Sequence, residues 1–274
     1  MRIHSQLGAT LASMLKIMLK SKKTDAPEPE LTSKEIVVLG NGPSLNDTME
    51  RHSDWLAEKE LMAVNFAANT YAWERLKPRW YVLADPHFWS KKPDENLKRL
   101  WENLKATPWP LILYVPCNKV KATRKLLGDS QVRIKGFNMT PVEGFRWFRH
   151  GAWRRGWGMP RPRNVLIPAI MIALREGFTT IMLAGADHSW TRTLSVDNRN
   201  RVVTVQPHFY EDNRQERERV ESVYQDVHLH NMLESLMIAF RSYHQIAAYA
   251  RKRGVDVLNI TPGSFIDAFP RRQL

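Results

Sequence analysis

From Glu35 onward, short β-branched or apolar runs alternate with stretches whose apolar residues recur at helical spacing. The runs Glu35–Leu39, Leu61–Phe66, Trp80–Ala84, Leu111–Val115, Gln131–Lys135, Thr179–Ala184 and Val255–Ile260 read as strands. Helical periodicity marks Ser44–Ala57, Pro93–Lys105, Val120–Leu127, Asn164–Glu176 and Asp226–Arg253. Strand–helix alternation of this kind predicts an α/β fold: a Rossmann-like, doubly wound, mainly parallel sheet with helices on both faces. Ligands of such sheets bind beyond the carboxyl ends of the strands. The rhythm breaks between Ser189 and Gln225, which is long, polar and mixed in charge. An insertion of that length starting at a strand end reads as a lid over the site.

The first 23 residues have a different pattern. Leu7, Leu11, Leu15 and Met18 recur on one helical face, while Arg2, Lys16, Lys20, Lys22 and Lys23 supply charge and no acid occurs. Lys16 and Lys20 interrupt the apolar run well short of the ~20 residues that a membrane span needs. Residues 1–23 therefore predict an amphipathic basic helix that lies on an anionic membrane surface, or else docks on the protein's own surface. Residues 24–33, with Pro27 and Pro29, read as an extended linker into a single domain over 34–274.

The composition, 43% apolar and 25% charged, excludes wholesale disorder, collagen and coiled coil. Cys117 is the single cysteine, which rules out an intrachain disulfide framework and a cysteine-based zinc site and fits a cytoplasmic protein. With 41 Lys+Arg against 28 Asp+Glu the formal charge is +13. Part of that excess lies between Phe145 and Arg163, where six arginines are interleaved with Trp147, Trp153 and Trp157. Arg and Trp so mixed suit an anionic donor, a glycan, lipid headgroups or stacked bases. No recognisable nucleic-acid module accompanies them, which argues against nucleic acid.

The sharpest local motif is Gly40-Asn41-Gly42-Pro43-Ser44-Leu45, a tight turn between a buried-type strand and a helix. Its glycines allow close backbone approach and positive φ, Ser44 can cap the helix, and the free N–H groups of such a helix end attract phosphate. A purely structural glycine turn has the same appearance. The motif lacks the Gly-Lys-Ser/Thr of a Walker A loop and the spacing of the dinucleotide fingerprint. Polar residues close other predicted strands: Asn65, Asp85, and Gly185 to His188 with Asp187. Each alone reflects turn preference. Together they converge on one edge of a parallel sheet.

In this order, from Glu35 to Phe269, the Gly40–Leu45 turn, Asn65, Asp85-Pro86, the unit from Asn164 to Asp187 and Thr261-Pro262-Gly263-Ser264 resemble the bacterial sialyltransferases of glycosyltransferase family 42. The glycine-turn core is also similar to that of the 6-hydroxymethylpterin diphosphokinases. The first resemblance implies a variant GT-A-like fold that moves an acidic sugar from a CMP-sugar to a surface-glycan acceptor by inverting displacement, on the cytoplasmic side of the inner membrane. It places Gly40, Asn41, Gly42, Asn65 and Asp85 around the donor, with Asn164 and Ser264 behind them, and the turn and strand-end residues Pro43, Ser44, Gly185 and Asp187 are further nucleotide- or phosphate-binding candidates. Asp85 departs from the asparagine usual in the family, and an ionised carboxylate cannot donate a hydrogen bond.

The family's general base is a histidine between the lid and the last long helix. The usual spacing from Pro262 falls near Met237, which cannot carry a proton. His230 is the first candidate, with His228 and His188 behind it, since an imidazole is suited to take the proton of an attacking hydroxyl. Tyr210, Arg161 and Arg163 are candidates to neutralise the leaving phosphate. No Asp-x-Asp pair occurs in the sequence, so no metal and no cofactor beyond the CMP-sugar substrate is expected. A pterin diphosphokinase would instead need Mg²⁺ ligands for ATP, and a non-catalytic nucleic-acid or anion binder is the remaining alternative.

Overall fold

Ile36, Val37, Val38 and Leu39 are all buried, so the first strand has no solvent face and must lie inside a sheet covered on both sides. The computed structural model, which describes residues 3–28, 31–203 and 228–274, has this arrangement. β1 (Glu35–Leu39) runs between β2 (Glu60–Val64) and β6 (Thr180–Ala184), and the order across the sheet is β5-β4-β3-β2-β1-β6-β9. The remaining strands are β3 (Trp80–Val82), β4 (Ile112–Pro116), β5 (Arg133–Phe137) and β9 (Asp256–Asn259). All six pairings are parallel, so every carboxyl end opens on the same edge. The chain first winds outward from β1 to β5 and then restarts at β6, which makes the β1–β6 junction the topological switch point.

Alternate side chains of the strands feed two opposite layers. Val37, Leu39, Ala63, Tyr81, Leu113 and Val115 pack on α2 (Ser44–Arg51), α3 (Ser53–Ala57), α4 (Ala72–Leu76), α5 (Glu95–Lys105) and α6 (Val120–Leu127). Ile36, Val38, Met62, Val64, Trp80 and Ile112 pack on α7 (Arg146–Arg154), α8 (Leu166–Glu176) and α9 (Leu229–Lys252). α8 is apolar nearly all round and buried along its length, as a central interior helix must be. Its Pro168 sits in the first turn, where the missing N–H costs nothing, and Gly177 ends it at φ +98°.

Several expectations change in detail. The helix predicted over Ser44–Ala57 breaks at His52 into α2 and α3. The basic Phe145–Arg163 segment begins as a helix, α7, which buries Phe148, His150, Ala152 and Trp153 and leaves Trp147 exposed. The described start of the expected lid is a short 3-10 turn over Trp190–Arg192 followed by a small antiparallel hairpin, β7 (Ser195–Val196) with β8 (Val202–Val203). The remainder, residues 204–227, lies outside the described residues, and with it Tyr210.

The amino-terminal helix forms as α1 (Ile3–Lys20), but it docks through Thr10, Ser13 and the partly buried Ile17, with most of its apolar residues outward. Thr10 and Ser13 are buried: Thr10 Oγ1 accepts from Phe145 N (3.0 Å), and Ser13 Oγ accepts from Glu143 N (2.9 Å). Gly144, at φ +101°, makes room, because a Cβ there would lie 2.0 Å from Thr10 Oγ1. The segment expected as a linker has no helix or strand where described, and it is pinned rather than free. Lys22 N donates to Asn138 Oδ1, Gly136 N to Asp25 Oδ2 and Lys135 Nζ to the Ala26 carbonyl, while the Glu28 carboxylate pairs with Lys135 and Arg133. These contacts step back along β5 from its carboxyl end. Among the described residues, no helix is long and apolar enough to cross a membrane.

Candidate functional site

The turn after β1 meets the turn after β6 at the switch point, and glycine is needed on both sides of the contact. A Cβ on Gly40 would lie 2.4 Å from the Gly185 carbonyl oxygen, and one on Gly42 would lie 1.9 Å from Asp187 Oδ2. Gly185 adopts φ +63°. Gly40 and Gly42 do not, so close approach and not positive φ is their reason. The amides expected to face a phosphate already have protein acceptors. Gly40 N donates to Ala184 O (2.7 Å), Gly42 N to Gly185 O (2.8 Å) and Ser44 N to Asp187 Oδ1 (3.4 Å).

Ser44 is consequently not the cap of α2. Pro43 holds that position without a side-chain bond, and the Ser44 hydroxyl donates to Asp187 Oδ2 at 2.7 Å. The carboxylate of Asp187 thus occupies the amino terminus of α2, where negative charge is favoured. Burial raises its pKa above the ordinary carboxylate value, outweighing the Ser44 bonds that pull it down.

Around this contact the strand ends converge as the sequence predicts. Asn41 is buried after β1 and donates from Nδ2 to Val64 O (3.4 Å), across the end of β2. Asn65 follows β2 in the left-handed region at φ +54°, with its backbone carbonyl accepting from the buried Tyr81 hydroxyl (2.6 Å). Asp85 follows β3, is exposed, and accepts from His87 N (2.8 Å) to start a 3-10 turn. His188 follows β6 at φ +51°. Non-glycine residues held at positive φ are strained, and two of them here end strands on the same edge.

His188 is held from three sides. Its ring lies 4.2 Å from that of Trp190 and at edge contact with Phe240 and Tyr243 of α9. Its Nε2 is 2.7 Å from the Tyr243 hydroxyl, whose single hydrogen goes to Asn164 Oδ1 at 2.8 Å. Nε2 must therefore carry the proton, and Nδ1 is left as the ring's lone-pair nitrogen. Burial pushes the imidazole pKa down to about 3, so it is neutral at physiological pH. Asn164 Oδ1 also accepts from Leu166 N (3.0 Å), and its Nδ2 is buried without a partner among the described residues.

The other candidates are scattered. His228 and His230 stack on each other in the exposed first turn of α9. Thirteen residues of helix separate His230 from Tyr243, about 20 Å along the axis. The structure brings His188 to the strand edge and holds the other two histidines at the exposed start of α9. Ser264 is not available to a ligand: its buried hydroxyl donates to Ala186 O (2.6 Å) and accepts from Asn259 Nδ2 (3.0 Å) and Ile266 N (3.1 Å). It braces the loop after β6. Arg161 is clamped in a two-pronged pair with Glu143, and Arg163 is exposed. Tyr243, which no local motif singles out, joins the site because its hydroxyl needs buried partners. Within the apolar stripe of a long helix it reads as core.

No family model matches the chain, and no curated protein matches it. Among solved structures it is similar to the MAf glycosyltransferase from Magnetospirillum magneticum AMB-1, at 12% identity and a TM-score of 0.53. The match covers 98% of this chain and 38% of that one, so the chain spans about two fifths of the neighbour's length. At that identity the likeness establishes the α/β, Rossmann-like fold.

Proposed function

We propose that the chain is a glycosyltransferase that moves an acidic sugar from a CMP-sugar donor to a surface-glycan or lipid-linked acceptor, on the cytoplasmic face of the inner membrane. The observation that carries this reading is the strained polar edge at the switch point: Asn65 and His188 in left-handed conformations, with Asn41, Asp85 and Asp187 between and beside them. A fold neighbour named as a glycosyltransferase agrees with it. The donor's nucleotide lies along Asn41, Asn65 and Asp85, and its phosphate approaches α2 at Ser44. An acceptor hydroxyl attacks the anomeric carbon, the bond to the phosphate oxygen breaks, and CMP leaves with the electron pair.

The hydroxyl proton passes to Nδ1 of His188, which takes precedence over His230 and His228 because it stands at the strand edge. A base near pKa 3 is weak, but an anionic donor beside the ring raises it. The reading is tested by incubating the protein with CMP-sialic acid or a related CMP-sugar and following release of CMP. His188→Gln is expected to abolish release and keep CMP binding, while His230→Ala keeps both. Stabilisation by ATP with Mg²⁺ and a pterin, and none by cytidine nucleotides, would favour the diphosphokinase instead.

A further inference from the structure

α1 is mounted the wrong way round for a helix that completes a core. Thr10, Ser13 and, just past its end, Ser21 make its bonds to the body of the protein. Ile3, Leu7, Leu11, Leu15, Met18 and Leu19 are exposed, Met18 at 81% and the others at 48% or more. On a 100° wheel these residues form one arc about 160° wide, and Lys16 and Lys20 lie on the other side of the helix. An apolar stripe of this extent on a monomer marks an interaction surface.

The position of the helix is equally specific. Ser21 bonds Thr140, and Lys22 exchanges bonds with Asn138, the residue directly after β5. α1 therefore projects from the carboxyl end of β5, the same edge that carries the candidate site four strands away, about 19 Å at ordinary strand spacing. Beside it, Phe145 takes the Thr10 hydroxyl as its backbone acceptor and opens α7, whose Trp147 is 68% exposed and stacked on the Phe145 ring. Arg146 is the first residue of that helix, and Lys22 and Lys23 are exposed at the end of α1.

We infer that α1 and the first turn of α7 form a rigidly mounted docking surface for an anionic lipid bilayer. The apolar arc enters the headgroup boundary, with Trp147 as an interfacial anchor and Lys22, Lys23 and Arg146 on lipid phosphates. Charge selects this occupant over a second copy, since a chain of formal charge +13 repels its own basic surface while anionic lipid neutralises it. The inference deepens the membrane part of the reading above and does not depend on the reaction. Because the helix is bolted to the domain and not tethered, the site is held at a fixed height and orientation over the membrane.

The test is co-sedimentation of the full chain with vesicles of phosphatidylcholine alone and with a quarter phosphatidylglycerol, at low and high salt. Binding is expected to the anionic vesicles, weakening with salt. Leu11→Asp with Leu15→Asp should weaken it about a hundredfold, from two apolar side chains lost to the boundary, and Lys22→Glu with Lys23→Glu should weaken it at low salt. These positions are exposed, and circular dichroism checks that the variants fold. Absence of binding to anionic vesicles, or binding unchanged by both pairs, overturns the inference. So does a stable dimer that Leu11→Asp with Leu15→Asp dissociates while vesicles stay unbound. CMP binding in the same variants separates the two ideas: docking lost with CMP binding intact supports the surface alone, and docking intact without CMP binding removes the transferase reading and leaves the surface standing.

Discussion

The Ser44 hydroxyl donates to the Asp187 carboxylate at 2.7 Å, across the seam where the turn after β1 meets the turn after β6. A protein carboxylate thus occupies the helix end that the glycine turn alone would assign to phosphate. An entering phosphate must share that end with Asp187 or displace it. Two like charges in contact favour proton uptake.

Asp187→Asn follows from this directly. The folded protein holds the Asp187 proton more tightly than the unfolded chain does, because burial raises the carboxyl. Its contribution is therefore most favourable below the unfolded pKa and is lost as pH rises through the folded one. The asparagine, which keeps one oxygen to accept from the Ser44 hydroxyl and gives up the longer bond from Ser44 N, is expected to raise Tm at pH 7.5, with the gain shrinking as pH falls toward the unfolded carboxyl range. It should also tighten CMP binding and remove the pH dependence of that binding. Thermal melts and calorimetry across pH check both, and a Tm difference that does not vary with pH contradicts the assignment.

Gly40→Ala and Gly42→Ala should each destabilise by about 1–3 kcal/mol or more, the range for overpacking a site that cannot yield. The neighbours are the Gly185 backbone and the Asp187 carboxylate held by Ser44. Urea unfolding measures the cost. A neutral Gly40→Ala would mean that the two turns separate easily.

Tyr243→Phe removes one hydroxyl and strands two groups, the Nε2–H of His188 and one of the bonds to Asn164 Oδ1. A loss of about 1–3 kcal/mol is expected for buried groups left unpaired. The tautomer of His188 is then free to change, so turnover should fall while CMP affinity holds. Nitrogen chemical shifts of the His188 ring in wild type and variant report the tautomer. Nδ1-protonated imidazole in the wild type would contradict the network.

His150 and His188 are both buried and neutral, pushed down to about 4 and about 3. His150 is depressed by burial first and then by Arg149, Lys252 and Arg146. The unfolded chain binds these protons near pH 6.5 and the folded protein does not, so stability falls as pH drops from about 6.5 toward 4. Two such groups give a slope on the order of 2 kcal/mol per pH unit. His150→Phe should roughly halve it, measured as Tm against pH. An unchanged slope would mean that His150 gains its proton in the folded state.

The parallel order of the sheet and the cluster of strand-end polar residues were legible because they depend on local runs: Ile36-Val37-Val38-Leu39 can only be a covered strand, and Asn65 and Asp85 end theirs. What depends on contacts between distant segments was not. Nothing near Ser44 announces that Asp187, 143 residues on, will take its hydroxyl. Ser264 reads as a ligand residue until Ala186, Asn259 and Ile266 are seen to consume it. α1 reads correctly as amphipathic, but periodicity cannot say that Thr10 and Ser13 face inward. α7 was hidden because its arginines mask the buried face of Phe148, Ala152 and Trp153. His230 gained weight from its place in the sequence, and the structure puts it in the exposed first turn of α9, thirteen residues before Tyr243.

The most direct measurement is calorimetric titration of CMP into the wild-type protein and into Asn65→Ala and His230→Ala. Saturable binding is expected in the wild type, weakened about tenfold or more by Asn65→Ala as hydrogen bonds at the strand edge are lost, and unchanged by His230→Ala. Absence of saturable CMP binding, or binding indifferent to Asn65 and abolished by His230→Ala, would contradict a nucleotide site at the carboxyl edge of the sheet.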